Sequence, residues 1–184
     1  MDKNNKTPQQ TAEISKYYDS ISSGYDELHF EEQKQKINII LQEITPKRSE
    51  KILDVGCGTC FSFEYFKCDC YGIEPSREML KKYSKYAHYK NKLFVGGGED
   101  VDKHFKKDFF DYVVCLSVAH HFSNWSKSLK NIENVSKKDA IIVFSLLKGA
   151  DVKKHEKMIE DSFKVYKVVN SKDLIIFARN KKFK

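Results

Sequence analysis

An α/β fold, in which a mostly parallel sheet carries helices on both faces, is the class this sequence predicts, and three observations predict it. From Lys51 onward, short β-rich runs alternate with amphipathic stretches, the rhythm of strand-helix units packed in layers. A hydrophobic run over 51–55 leads directly into Gly56-Cys57-Gly58, followed by a helical pattern. The last two β-rich runs are joined at Asn170-Ser171, a hairpin-type turn. The final strand is therefore expected to lie antiparallel to its neighbour.

Residues 11–44 carry two helical patterns with spacings of three and four. Ile14, Tyr17, Tyr18, Ile21 and Tyr25 mark the first, and Ile37, Ile40, Leu41 and Ile44 the second, which Pro46 is expected to end. Strands are expected near 51–55, 70–74, 92–95, 110–117, 140–147, 163–169 and 173–178. Helices are expected near 60–66, 76–87, 99–105, 124–134 and 151–160. Residues 1–10 read as a polar, flexible tail and 181–184 as a basic one, which leaves 11–180 as a single domain.

Composition narrows the functional classes. A chain of 184 residues with 40% hydrophobic and 32% charged side chains fits one compact core better than two. Thirteen Phe and ten Tyr supply enough apolar mass to exclude a wholly disordered chain. The longest apolar runs, 141–144 and 174–178, fall far short of the roughly 20 residues of a membrane span. The polar start lacks the apolar stretch of a secretion signal, so a cytoplasmic location is expected. Five cysteines (Cys57, Cys60, Cys68, Cys70 and Cys115) are an odd number and read as reduced thiols. A net charge of +7 invites a nucleic-acid reading, but Arg48, Arg77 and Arg179 are the only arginines. A phosphate-reading surface usually recruits the guanidinium fork.

The most informative segment is Lys51-Ile-Leu-Asp-Val-Gly-Cys-Gly-Thr-Cys60. In an open α/β sheet, ligands bind beyond the carboxyl ends of the strands where strand order reverses. Gly56 and Gly58 are expected to let the backbone approach a ligand closely. A dinucleotide fingerprint would place its third glycine at position 61, which is Phe, so a nicotinamide cofactor is not expected. Glu74, eighteen residues beyond Gly56, closes the next strand in Tyr71-Gly-Ile-Glu-Pro75. A carboxylate there can accept hydrogen bonds from both hydroxyls of a ribose, at about 1.5–3 kcal/mol for each charged bond. The Gly-Lys-Ser/Thr of a phosphate loop is missing, and Asp54 with Glu74 would repel a phosphate. The expected ligand is a nucleoside without phosphates.

These residues resemble those of the class I S-adenosylmethionine-dependent methyltransferases, of the type 11/25-like group. The first motif of that family, Asp-x-Gly-x-Gly-x-Gly, is similar to Asp54-Val55-Gly56-Cys57-Gly58-Thr59-Cys60. The resemblance covers roughly residues 15–178. It implies a Rossmann-like three-layer sandwich with a seven-stranded, mostly parallel sheet of order 3-2-1-4-5-7-6, strand seven antiparallel. It also implies S-adenosyl-L-methionine as cofactor, with Asp54, Gly56, Cys57 and Gly58 in the loop beneath it and Glu74 and Pro75 at its ribose. Gly98 and Glu99 after the third strand and Ser117 after the fourth complete the implied cofactor set. Two departures stand out. Cys60 replaces the third glycine, and Gly97 occupies the place of an Asp that receives the adenine amino group, leaving Glu99, Asp100 or backbone groups for that task.

Methyl transfer from a sulfonium is an in-line displacement, so the protein must hold nucleophile and methyl carbon about 3–3.5 Å apart. The loop Leu116-Ser-Val-Ala-His-His-Phe122 offers His120 and His121 as general base or substrate partner, against the plainer reading that they pack structurally. The Asn/Asp-Pro-Pro-Tyr of amino methyltransferases and the Pro-Cys of cytosine-carbon enzymes are missing. The loop instead resembles branches acting on small metabolites and on a carboxyl group of a modified tRNA uridine, a branch with obligate activator subunits. Tyr17-Tyr18-Asp19 to Tyr25-Asp26 resembles the N-terminal lid of such enzymes, making 11–45 the lid helices. Tyr18 and Tyr25, seven apart, would share a helix face. An aromatic face beside a sulfonium contributes about 0.5–2 kcal/mol.

The expected function is thus methyl transfer to a tRNA or other macromolecule, or to a small metabolite. The rival is a non-catalytic Rossmann-like binding or scaffold module working with a partner protein. Cys57-x-x-Cys60 and Cys68-x-Cys70 could be taken as zinc ligands, but buried core thiols are the commoner outcome and no metal is expected. Lys81, Lys82, Lys85, Lys90 and Lys92, interleaved with Tyr83, Tyr86 and Tyr89, read as a solvated basic helix face that could meet RNA.

Overall fold

The computed structural model describes residues 25–83, 86–149 and 151–181, together with Glu13 and Lys16, both helical. Helix α1 (Tyr25–Leu41) leads into strand β1 (Lys51–Val55), and β2 (Asp69–Glu74) follows after a single 3-10 turn at Phe61–Glu64. Short helices α2 (Arg77–Lys82) and α3 (Tyr86–Tyr89) precede β3 (Leu93–Val95). Then come α4 (Val101–His104), β4 (Phe110–Leu116), α5 (Trp125–Val135) and β5 (Ser136–Leu146). Helix α6 (Val152–Ser162) precedes the hairpin of β6 (Lys164–Asn170) and β7 (Leu174–Arg179).

The seven strands form one sheet of order β3-β2-β1-β4-β5-β7-β6, as expected. Strands β1 to β5 pair in parallel, and β7 runs antiparallel to both β5 and β6. Strand β1 pairs with β2 on one side and β4 on the other, so successive strands depart from it in opposite directions. That reversal opens a crevice above the carboxyl end of β1.

Alternation along the central strands builds two cores. Leu53, Val113, Cys115, Ile142, Phe144 and Ile176 point to the face covered by α4, α5 and α6. Ile52, Val114, Val143, Ile175 and Phe177 point to the opposite face, where Ile40 of α1, Phe63 and Leu80 of α2 meet them. Such period-2 switching between two apolar layers fits a sheet buried on both sides. Among the described residues, no helix is long and apolar enough to cross a membrane.

Several local expectations are corrected. Helix α1 covers Tyr25–Leu41 and stops before Pro46, where the chain tightens into a turn in which the Glu43 N–H donates to the Ile40 carbonyl at 2.9 Å. The helix expected over 76–87 breaks at Tyr83, whose extended backbone (ψ 118°) turns the ring inward, 5.8 Å from Phe63 and 5.7 Å from Tyr89. The segment near 99–105 begins as a 3-10 turn, Gly98–Asp100, before α4. Strand β5 begins at Ser136, ahead of the expected 140, with a register shift opposite Phe110–Tyr112. The tails 1–10 and 182–184, most of the first helical pattern and Tyr18 lie outside the described residues; Tyr25 opens α1, but its side chain lies outside them too.

Candidate functional site

The chain leaves β1 through three left-handed residues, Gly56 (φ 73°), Gly58 (φ 54°) and Cys60 (φ 60°). A non-glycine side chain in that region is uncommon, yet Cys60 is fully buried there. Its sulfur lies 3.7 Å from that of Cys57. Gly56 answers to packing as much as to backbone freedom: a Cβ on it would fall 2.2 Å from Val118 Cγ2, the residue after Ser117 in the loop following β4. Gly58 has room for a Cβ, which would meet only Met79 Cε at 3.4 Å, so its backbone conformation alone asks for glycine. Cys57 turns its sulfur onto β2, where Gly72 makes the room: a Cβ there would lie 2.5 Å from Cys57 Sγ. Burial and the neighbouring Cys60 raise the Cys57 thiol pKa well above the usual range.

Two buried carboxylates face this loop. Glu74, 7% exposed at the end of β2, accepts from the Gly58 N–H at 3.1 Å and from the Ser76 N–H at 2.8 Å. Backbone amides thus fix its orientation toward the glycine turn. Pro75 is half-buried between Glu74 and Ser76, whose hydroxyl caps α2 by accepting from the Met79 N–H at 3.1 Å. Asp54, 3% exposed in β1, accepts from the Ser62 hydroxyl at 2.5 Å through Oδ2, while its buried Oδ1 has no hydrogen-bond partner among the described residues. Burial pushes Asp54 up to about 7; the Ser62 hydrogen bond opposes this and the Glu74 charge adds to it. Asp54, Gly56, Cys57, Gly58 and Ser62 line a small hollow of about 50 Å³, closed on one side by Gln33 and Ile37 of α1 and by Leu116.

The other candidates sit around this centre, and the side chains of Glu99, Asp100 and Ser117 are hydrogen-bonded. Gly98 packs closely on α5 and the turn before it, where a Cβ would lie 3.0 Å from Ser128 and 2.8 Å from Phe122. Glu99 Oε1 accepts from the Ser123 hydroxyl at 2.9 Å and the Asn124 N–H at 2.7 Å, tying its loop to the start of α5. Asp100 accepts from the Gly97 N–H at 3.2 Å and pairs with Lys103 at 2.6 Å. Ser117 (φ 54°) donates to Asp173 at 2.8 Å and accepts from Lys36 at 2.6 Å. His120 and His121 are half-buried in a 3-10 turn, Ala119–His121, with ring centroids 3.9 Å apart. The structure therefore brings Asp54, Gly56, Cys57 and Gly58 together at the hollow, with Glu74 held beside it by the Gly58 N–H, while Glu74, Pro75, Gly98, Glu99, Ser117 and the histidines do not line it.

Sequence reasoning missed Lys36, Gln33, Ser62, Val118 and Asp173. Lys36 had a readable signal, since Gln33, Lys36, Ile37 and Ile40 share one helical face with the buried Ile44 beyond. Asp173 gave none.

The lysine-tyrosine stretch does not form one solvated basic face. Tyr83 is buried, Lys81 pairs with Glu78 at 2.8 Å, and Lys92 pairs with Asp69 at 2.5 Å while lying over the Tyr71 and Tyr89 rings. Lys85 lies outside the described residues.

Comparison with known proteins adds the family. The model of the methyltransferase domain family matches residues 53–144, half of the chain. An uncharacterized methyltransferase of Bacillus subtilis is 28% identical over 112 residues, which are 57% of this chain and 44% of that protein. The chain spans about half the length of the curated relatives it matches. A S-adenosylmethionine-dependent methyltransferase structure from Aquifex aeolicus superposes with a TM-score of 0.64 at 20% identity, covering 78% of this chain and 89% of its own. A chain from the complex between the Haloferax volcanii Trm112 methyltransferase activator and a methyltransferase gives a TM-score of 0.74 at 12% identity, covering 89% and 97%. The matched domain family and the strand order agree, and the chain belongs to the class I S-adenosylmethionine-dependent methyltransferase family.

Proposed function

We propose that this chain transfers a methyl group from S-adenosylmethionine to an acceptor by in-line displacement at the carboxyl ends of β1, β2 and β4. The observation that carries this reading is the pair of buried carboxylates on adjacent strands, Glu74 aimed by two backbone amides and Asp54 with an unpartnered Oδ1. An acidic hollow favours a cationic ligand, because a nearby positive charge lowers the cost of ionising a buried acid. S-adenosylmethionine carries a sulfonium and an ammonium, so these residues fit it, whereas a nucleotide phosphate would be repelled. Asp54 would take the ammonium. Glu74 would take the ribose hydroxyls, since a carboxylate offers about four acceptor sites and two backbone amides only orient it.

The adenine falls to the backbone of the 96–98 loop. Gly97 has no side chain to offer, and the carboxylates of Glu99 and Asp100 hold Ser123, Asn124, Gly97 and Lys103. Tyr18 and Tyr25 are proposed as the lid's aromatic contribution beside the sulfonium. The cofactor supplies a methyl group already activated on a positively charged sulfur. The chain's own residues then bind, orient and exclude water, and His120 or His121 accepts the acceptor's proton.

Isothermal titration with S-adenosylmethionine tests the reading. Micromolar affinity that Glu74→Ala weakens about 10- to 100-fold, the loss of one charged hydrogen bond, is the expected result. No binding at millimolar ligand would leave the scaffold reading standing. Labelled methyl transfer to separate pools of tRNA, protein and small metabolites assigns the acceptor. A second reading, that an activator subunit completes the enzyme, is favoured by the extent of the match to the Haloferax volcanii complex, which takes in nearly the whole of both chains. In that case turnover on tRNA would appear only with the partner present.

A further inference from the structure

A buried lysine stands at the same edge of the sheet. Lys36, on the inner face of α1, has a side chain 3% exposed, and Asp173, in the β6–β7 turn, one 2% exposed. The ammonium has three protons and three acceptors: Ser117 Oγ at 2.6 Å, Glu32 Oε1 at 2.7 Å and Asp173 Oδ2 at 2.9 Å. Asp173 Oδ2 also accepts from the hydroxyls of Ser117 at 2.8 Å and Ser145 at 2.5 Å. At the rim, Lys172 pairs with the other oxygen of Glu32 at 2.5 Å, so two cations balance two anions. The cluster joins α1, the end of β4, the end of β5 and the terminal hairpin.

The cluster also touches what holds the candidate site. Ser117 keeps a left-handed backbone without being glycine, a conformation that persists only where surrounding contacts dictate it. Its neighbour Val118 occupies the space left by Gly56, and the turn with His120 and His121 follows. One turn of α1 places Gln33 and Ile37, the residues flanking Lys36, on the wall of the hollow. A buried ion cluster is a poor source of stability compared with apolar packing of the same volume, so its value lies in the one arrangement it enforces.

We propose that Lys36 is a positioning residue: its ammonium locks α1 and the β6–β7 turn onto Ser117, and so sets the loop after β4 against the glycine turn. The proposal rests on the methyltransferase reading for its functional consequence, but its structural core is testable alone. The double variant Lys36→Met/Asp173→Asn removes both charges and leaves no unpaired buried ion. It should melt within a few degrees of the parent, whereas each single variant melts lower. In the double variant, hydrogen exchange at the amides of 117–121 should rise at least tenfold, and affinity for S-adenosylhomocysteine should fall at least tenfold. Unchanged protection over 117–121 overturns the proposal, and so does raised exchange with unchanged affinity. Should the parent itself fail to bind S-adenosylhomocysteine, the methyltransferase reading falls, and exchange over 117–121 alone decides for or against the lock. Should the double variant not fold, Ser117→Gly deletes the hydroxyl while easing the left-handed backbone, and the same two measurements decide.

Discussion

Asp54 shows how the burial of a single side chain couples stability to pH. With its folded pKa pushed to about 7 by burial, against about 3.9 for an unperturbed Asp, the folded state holds a proton that the unfolded chain has already released between those values. Stability therefore falls as pH rises from about 4 to about 7, and the full cost is present above 7. Asp54→Asn should raise the melting temperature of the unliganded protein more at pH 8 than at pH 5, while weakening S-adenosylmethionine binding by removing the charge proposed to meet the ammonium. A thermal-shift series across pH checks the first, and titration with S-adenosylmethionine the second. Gly56 makes a second residue-scale claim. Gly56→Ala combines left-handed strain with overlap on Val118, costing about 2–4 kcal/mol. Adding Val118→Ala should recover more than about 1 kcal/mol beyond additivity, measured by urea unfolding. A glycine needed only for ligand approach would show no such coupling. The sequence marks Gly56 as special, but the neighbour that makes it so comes from a loop 62 positions away, so only the folded structure names Val118.

At the scale of elements, legibility tracks how local the deciding forces are. Helix α5 was readable because Trp125, Leu129, Ile132 and Val135 form a buried stripe and Asn124 caps its start by accepting from the Lys127 N–H at 3.0 Å. Asn124→Ala should therefore cost about 1 kcal/mol, seen as a lower urea midpoint with an unchanged denaturant slope. The helix at 76–87 was misread, since its break depends on Tyr83 finding Phe63 and Tyr89, partners that periodicity cannot supply. In the lysine-tyrosine stretch Lys81, Lys82 and Lys90 are exposed, as the pattern suggests, whereas Tyr83 turns inward and Asp69 of β2 takes Lys92, contacts that the local pattern does not contain. The placement of Asp54 and Glu74 beside the glycine turn was legible because strand ends and loop spacing fix it. The buried lysine cluster was not, because Lys36 and Asp173 meet only after the whole sheet has formed.

Across the whole molecule, strand alternation announces a layered sheet, while the order of its strands came from resemblance, because alternation alone permits several windings. Ligand binding to such a domain should stabilise it as a unit. At a concentration of S-adenosylmethionine 100 times its dissociation constant, the expected gain is about 2.7 kcal/mol. For a domain of this size that corresponds to a rise of about 5–10 °C in Tm, readable by calorimetry, and Glu74→Ala should shrink it. The position of Asp173 carries a last consequence for biosynthesis. Lys36 meets Glu32 within its own helix, but its second anion, Asp173, is delivered by the β6–β7 hairpin, so during synthesis the cluster stays half-assembled until that hairpin has emerged. Arrival of the hairpin, rather than early collapse of the first half, is the event that lets the edge of the sheet seal.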